Sequence, residues 1–226
     1  MILPPALRHR RFVLLWAGLF ISIAGSQMQF WTLLWHIREL TDQGIEGKIS
    51  FTDGLRKRLA ILEANAEHLE KLIRRLKKKV SRSISRNQAF FTANRDKIYV
   101  ISAGFKEFIV PIVADFGIPA DRVFANSFVF GKNGNIIGFD RENVLSQSGG
   151  KVKQLEALNL KGEIFVVGDG YTDYQMKFGG DRVQFSAFTE NINRESASAN
   201  ADHVTPSLDE FLYHNNLPME ISYPKN

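Results

Sequence analysis

Two carboxylates four residues apart stand in Gly168-Asp169-Gly170-Tyr171-Thr172-Asp173, directly after the apolar run 164–167. At the mouth of a buried strand, such a pair suits a hard divalent cation such as magnesium. That ion takes few protein carboxylates and fills its other positions with water and phosphate oxygens. The same residues also suit an acidic helix N-terminus, where the carboxylates only cap backbone N–H groups. Spacing alone leaves both readings open. Ser102-Ala103-Gly104, after Tyr99-Val100-Ile101, is a second candidate. A hydroxyl and successive amides opening a helix bind an anion, and a plain helix cap has the same sequence. Lys151, after Ser148-Gly149-Gly150, is a third. Beside a phosphate, a lysine neutralises charge that gathers during phosphoryl transfer. Taken alone, it reads as a surface lysine.

The elements that must position these residues alternate between strand and helix. Lys97 to Ser102 and Glu163 to Val167 read as buried strands, and Val183 to Phe188 as another. A helix is predicted to start at Gly104. Val123 to Phe130 and Ile136 to Phe139 flank Lys132-Asn133-Gly134-Asn135, a hairpin signal. Leu62, Ala66, Leu69, Ile73, Leu76 and Val80 recur at helical spacing and predict one amphipathic helix. Strands separated by helices imply an α/β fold, a parallel sheet with helices on both faces. Ligand groups gather in such sheets where strands end and helices start, and the loops after Ile101 and Val167 both lie there.

In order, a serine at one strand end, a lysine opening a later helix and then Gly-Asp-Gly-x-x-Asp resemble the second, third and fourth motifs of the haloacid dehalogenase-like phosphohydrolases. Glu46-Gly47-Lys48-Ile49-Ser50-Phe51, followed by Leu55-Arg56-Lys57-Arg58, resembles the cap of the phosphoserine-phosphatase branch. Phe124-Ala125-Asn126 and the hairpin after it also fit. The likeness runs from about Leu40 to Tyr213. It implies a Rossmann-like core at residues 91–226 with a small helical cap at 39–90. It implies that Ser102, Ala103, Lys151 and Thr172 hold phosphate and that Asp169 and Asp173 help to carry magnesium. Ile45, Phe51 and Arg58 then close over the substrate, with Arg58 gripping an amino-acid carboxylate through its planar fork. The implied substrate is phosphoserine or a similar small phosphomonoester, and the implied setting is cytoplasmic. Ala103 stands where the family commonly has Gly, and Thr172 where it commonly has Asn.

The family's first motif, Asp-x-Asp at the end of the first strand, supplies the nucleophile and an acid/base. From Met1 to Thr41 this chain has no Asp, and its only Glu is Glu39. Asp42 has no carboxylate two residues away. The expectation is a phosphatase-like domain without its attacker and therefore inactive, joined near Glu39-Leu40-Thr41-Asp42 to a different N-terminus. The lost strand is expected to be central. Its loss leaves strand edges unpaired unless Phe12 to Trp35 fills the gap.

Residues 1–38 differ in character from the rest. Arg8, Arg10 and Arg11 precede an apolar run, and Phe12 to Trp35 is long enough to span a bilayer. This stretch resembles the first transmembrane helix of major-facilitator transporters, which implies membrane association through residues 12–35. A signal peptide cleaved after Ser22-Ile23-Ala24 and a buried core helix are the alternatives. The rival function is a transporter fragment, although one span forms no transport path. A non-catalytic phosphate-binding module is a third reading. The net charge of +5 is concentrated in the N-terminal arginines and in Arg74, Arg75, Lys77, Lys78, Lys79, Arg82 and Arg86. The second group has little aromatic interleaving, so it reads as a solvated helix face and no nucleic-acid partner is expected. With no cysteine, disulfides and thiolate metal sites are excluded.

Overall fold

The computed structural model describes residues 35–40, 49–62, 64–180 and 182–219. The apolar stretch from Phe12 lies outside these residues, except for Trp35, which is exposed at the head of a short helix, α1, over 35–40. Ile45 also lies outside them. Among the described residues, no helix is long and apolar enough to cross a membrane. The chain separates into two compact units, Met1–Ile61 and Leu62–Asn226.

The first unit carries nearly all of α2 (Phe51–Leu62). The Ser50 hydroxyl accepts the Asp53 N–H at 3.0 Å and donates to the Asp53 carboxylate at 2.8 Å, so the helix is capped at its start. Phe51, Leu55 and Arg58 share one face by their spacing, and Leu55 is buried.

The second unit opens on α3 (Ala66–Lys77). The single helix predicted over 62–80 is in fact broken at 64–65. There the Asn65 side chain accepts the His68 N–H at 3.0 Å, and Asn65 bridges to Asn135. A residue that offers its side chain to nearby backbone ends one helix and caps the next. The elements that follow are α4 (Arg82–Arg86), α5 (Gln88–Asn94), β1 (Val100–Phe105), α6 (Lys106–Val113), β2 (Val123–Asn126), β3 (Phe128–Phe130), β4 (Ile136–Phe139), α7 (Gly150–Ala157), β5 (Ile164–Gly168), α8 (Tyr171–Tyr174), β6 (Val183–Phe188), α9 (Glu195–Ser198), β7 (His203–Thr205) and α10 (Leu208–His214).

Among the described residues the expected parallel sheet is in two pieces. β1 pairs with β2, and β5 pairs with β6, which pairs with β7, all parallel. β3 and β4 form the predicted antiparallel hairpin, with Gly134 at φ 73° in its turn. Among the described residues, β1 and β5 each pair on one side only. β6, flanked on both sides, buries Val183, Phe185 and Ala187 in a core with Leu155, Val166 and Met176. β5 alternates instead: Val166 is buried while Phe165 and Val167 are 36% and 39% exposed. A strand covered on one face only has this pattern.

A polar knot ties α4 to α10. Asp209, 3% exposed, receives Arg86 in an ion pair and the Asn87 side-chain amide at 2.6 Å. Ser83 gives its N–H to Glu190 at 3.1 Å and accepts the Leu208 N–H at 2.8 Å. Burial pushes the Asp209 carboxyl up. The hydrogen bonds from Arg86 and Asn87, with the Arg86 charge, outweigh it and hold the group below the usual carboxylate range. A depressed pKa contributes stability above the ordinary Asp value and loses it as pH falls through the folded one. Asp209→Asn is therefore expected to cost about 2 kcal/mol at neutral pH. The gap to wild type should narrow as pH falls below the ordinary Asp value toward the depressed folded one. Denaturant melts at several pH values check this, and a gap that does not change with pH would sink it.

Candidate active site

Gly168 ends β5 and Asp173 lies in the short α8 that follows. A Cβ on Gly168 would lie 2.4 Å from Asp173 Cγ, so only glycine lets this carboxylate fold back over the strand end. Asp173 Oδ2 accepts the Gly170 N–H at 3.1 Å, and Oδ1 takes Lys151 Nζ at 2.6 Å. Both partners are shielded, at 16% and 14% side-chain exposure. Lys151 lies in the first turn of α7, where Gly150 packs very close to the turn before it. A Cβ on Gly150 would lie 2.1 Å from the Val144 carbonyl oxygen.

Asp169 is engaged differently. Arg194, preceding α9, bonds its carboxylate and reaches its backbone carbonyl at 3.3 Å, with both side chains 45% exposed. The two carboxylates read as a pair thus serve two different cations. Asp173 has both oxygens occupied, by Lys151 and by Gly170. No cluster of three His, Asp or Glu side chains gathers among the described residues. Magnesium needs only one or two carboxylates beside waters and phosphate oxygens. The half-exposed Asp169 fits that role as a single ligand once Arg194 is released, and the described residues offer no all-protein cage.

Ser102, Ala103 and Gly104 are strand residues. β1 runs on to Phe105, and α6 begins only at Lys106. The helix predicted from Gly104 is therefore displaced, and these three residues do not form a helix N-terminus. The physical cause is pairing: β1 bulges against β2 between Ile101 and Phe105, and the Phe105 ring stacks on Phe128 at 3.7 Å. Ser102 Oγ accepts the Gly104 N–H at 3.0 Å. Asn126, at the end of β2, donates to the Ala103 carbonyl at 2.9 Å. Thr172 is exposed on α8.

Phe51 and Arg58 belong to α2 in the other unit. Both are half-buried there, and Arg58 Nε donates to the Gly54 carbonyl at 3.1 Å. Burial lowers the guanidinium's pKa from its ordinary value. Lys151 and Asp173 are thus brought together, and Asp169 stands in the turn between β5 and the helix that bears Asp173. Sequence reasoning missed Arg194. Its only signal is position: it lies in the loop after β6, where a parallel sheet collects ligand groups.

The family model for haloacid dehalogenase-like hydrolase matches residues 21–176. The match begins inside the apolar run, upstream of the expected junction at Glu39, and nothing in the comparisons supports the transporter likeness. The chloroplastic phosphoserine phosphatase of Arabidopsis thaliana is 31% identical over 180 residues, 78% of this chain and 61% of that protein. The Homo sapiens phosphoserine phosphatase is 29% identical over 179 residues, 78% of this chain and 79% of the relative. Among solved structures, a phosphoserine phosphohydrolase-like protein from Francisella tularensis superposes with a TM-score of 0.70 at 26% identity, covering 87% of this chain and 91% of that one. On these grounds the chain belongs to the haloacid dehalogenase-like hydrolases, and within them it is similar to phosphoserine phosphatases.

Proposed function

We propose that the chain is a phosphoserine phosphatase-like domain that holds a small phosphomonoester without hydrolysing it. The observation that carries this reading is the shielded Lys151–Asp173 pair, 2.6 Å apart at the end of β5, beside the turn that bears Asp169. A lysine held at that point by a carboxylate is oriented toward any anion reaching the strand ends, and an incoming phosphate shares it with Asp173. The amides around Ser102 and Ala103 supply further donors from β1. By its resemblance to the phosphoserine-phosphatase cap, Arg58 would take the carboxylate of such a substrate. Bound magnesium would neutralise phosphate charge. Asp169 would be its ligand and would bind it poorly without a partner carboxylate.

The absent step is nucleophilic attack. No carboxylate pair lies between Met1 and Thr41. Titration calorimetry with phosphate and with phosphoserine tests the binding half of the proposal. Lys151→Ala is expected to weaken both by about tenfold or more, since a charge-assisted hydrogen bond contributes roughly 1.5–3 kcal/mol. Equal binding by both proteins would remove Lys151 from the site.

A further inference from the structure

Asn126 is fully buried at the C-terminal end of β2. Its side-chain amide donates twice, to the Ala103 carbonyl at 2.9 Å and to the Leu145 carbonyl at 3.3 Å. Those carbonyls belong to the two backbone segments of the proposed phosphate site. Ala103 lies beside Ser102 on β1. Leu145 lies in the turn Val144–Ser146, which leads into α7 and Lys151. The turn is also pinned to β2 by Asn143, which donates to the Ala125 carbonyl and accepts the Leu145 N–H, both at 2.9 Å.

The two asparagines differ in one respect. Asn143 uses both ends of its amide, whereas Asn126 Oδ1 is buried and has no hydrogen-bond partner among the described residues. Turning the amide over would set an oxygen against two carbonyls, so this orientation is fixed. An orphaned buried acceptor is a standing cost, and native proteins keep such groups chiefly where a site requires them. An apolar residue would fill the space without that cost but would hold neither carbonyl.

We infer that Asn126 is a positioning residue for the anion site, setting the Ser102–Gly104 backbone and the start of α7 at a fixed separation. It does so by clamping both segments from beneath, without touching the ligand. The inference rests on the phosphate reading of Ser102, Ala103 and Lys151.

The test uses the full chain and inorganic phosphate, followed by NMR shifts of the 102–104 amides and by melting temperature. Asn126→Ala is expected to weaken phosphate at least tenfold at a temperature where the variant is folded. Asn126→Ser, which keeps one donor, should lie between it and wild type, and it covers the case in which Asn126→Ala does not fold. Asp209→Asn serves as the stability control, with a lowered melting temperature and unchanged phosphate affinity. In the Asn126→Ala, Lys151→Ala double variant the loss should be smaller than the product of the two single losses, because both act on one bound anion. Wild-type affinity in folded Asn126→Ala or Asn126→Ser would overturn this inference alone. Failure of the wild-type chain to bind phosphate would overturn the phosphate reading and this inference together.

Discussion

A chain of this sequence, purified free of host phosphatases, is expected to hydrolyse phosphoserine no faster than background with magnesium present. Phosphate monoesters are among the slowest of all substrates to react unaided, so electrostatic help alone leaves turnover unmeasurable. The covalent route needs a carboxylate to attack phosphorus, and both candidates near the site are engaged elsewhere. Asp173 is tied to Lys151 and the Gly170 N–H, and Asp169 to Arg194. Replacing residues 1–38 by a strand and loop bearing Asp-x-Asp, with the start of the cap, is expected to restore activity. The restored activity should then fall on Asp169→Asn through lost metal binding, and on Arg58→Ala mainly through a raised KM. Robust turnover by the unmodified chain, abolished by Asp169→Asn, would sink the account.

Gly150→Ala is expected to cause the largest loss of stability of any single methyl addition in the second unit. The new Cβ would sit 2.1 Å from the Val144 oxygen and 2.9 Å from Leu145 Cα. Both are backbone atoms in a turn held by Asn126 and Asn143, so neither can swing aside as a side chain does. Overpacking typically costs about 1–3 kcal/mol, and a backbone clash belongs at or above the top of that range. For a chain of this size that lowers Tm by roughly 6–12 °C. Gly149→Ala is the comparison. Its Cβ would meet nothing, and only the left-handed φ of 70° resists it, which costs about 1 kcal/mol. Thermal melts of the two variants decide the matter, and equal Tm values would show that the turn gives way.

The β/α alternation was legible because the strands are rich in apolar and β-branched residues, as in Phe165-Val166-Val167 and Val183 to Phe188, although Val166 alone of the first three is buried. The hairpin was legible from Asn133-Gly134, whose glycine needs a left-handed backbone. Helix boundaries near the site were not. Whether β1 ends at Ser102 or Phe105 depends on stacking of Phe105 on Phe128, a partner more than twenty residues away. The break at Asn65 was hidden because the apolar spacing continues across it. Within the site, residue types and order were readable, but pairing was not. Asp169 and Asp173 share one motif, and what separates their roles is which cation folds onto each. Arg194 comes from a loop with no periodic signal.

The one-sided pairing of β1 and β5 among the described residues has a consequence for how this protein behaves in quantity. Among the described residues one edge of β1 and one of β5 pairs with no strand, and Phe165 and Val167 are exposed on β5. Such an edge is a template for the same edge on a neighbouring copy. Encounters between copies rise with the square of concentration, whereas any covering of the edge from within one chain is independent of it. A ceiling on soluble yield, set by expression level more than by thermal stability, follows from that difference in reaction order.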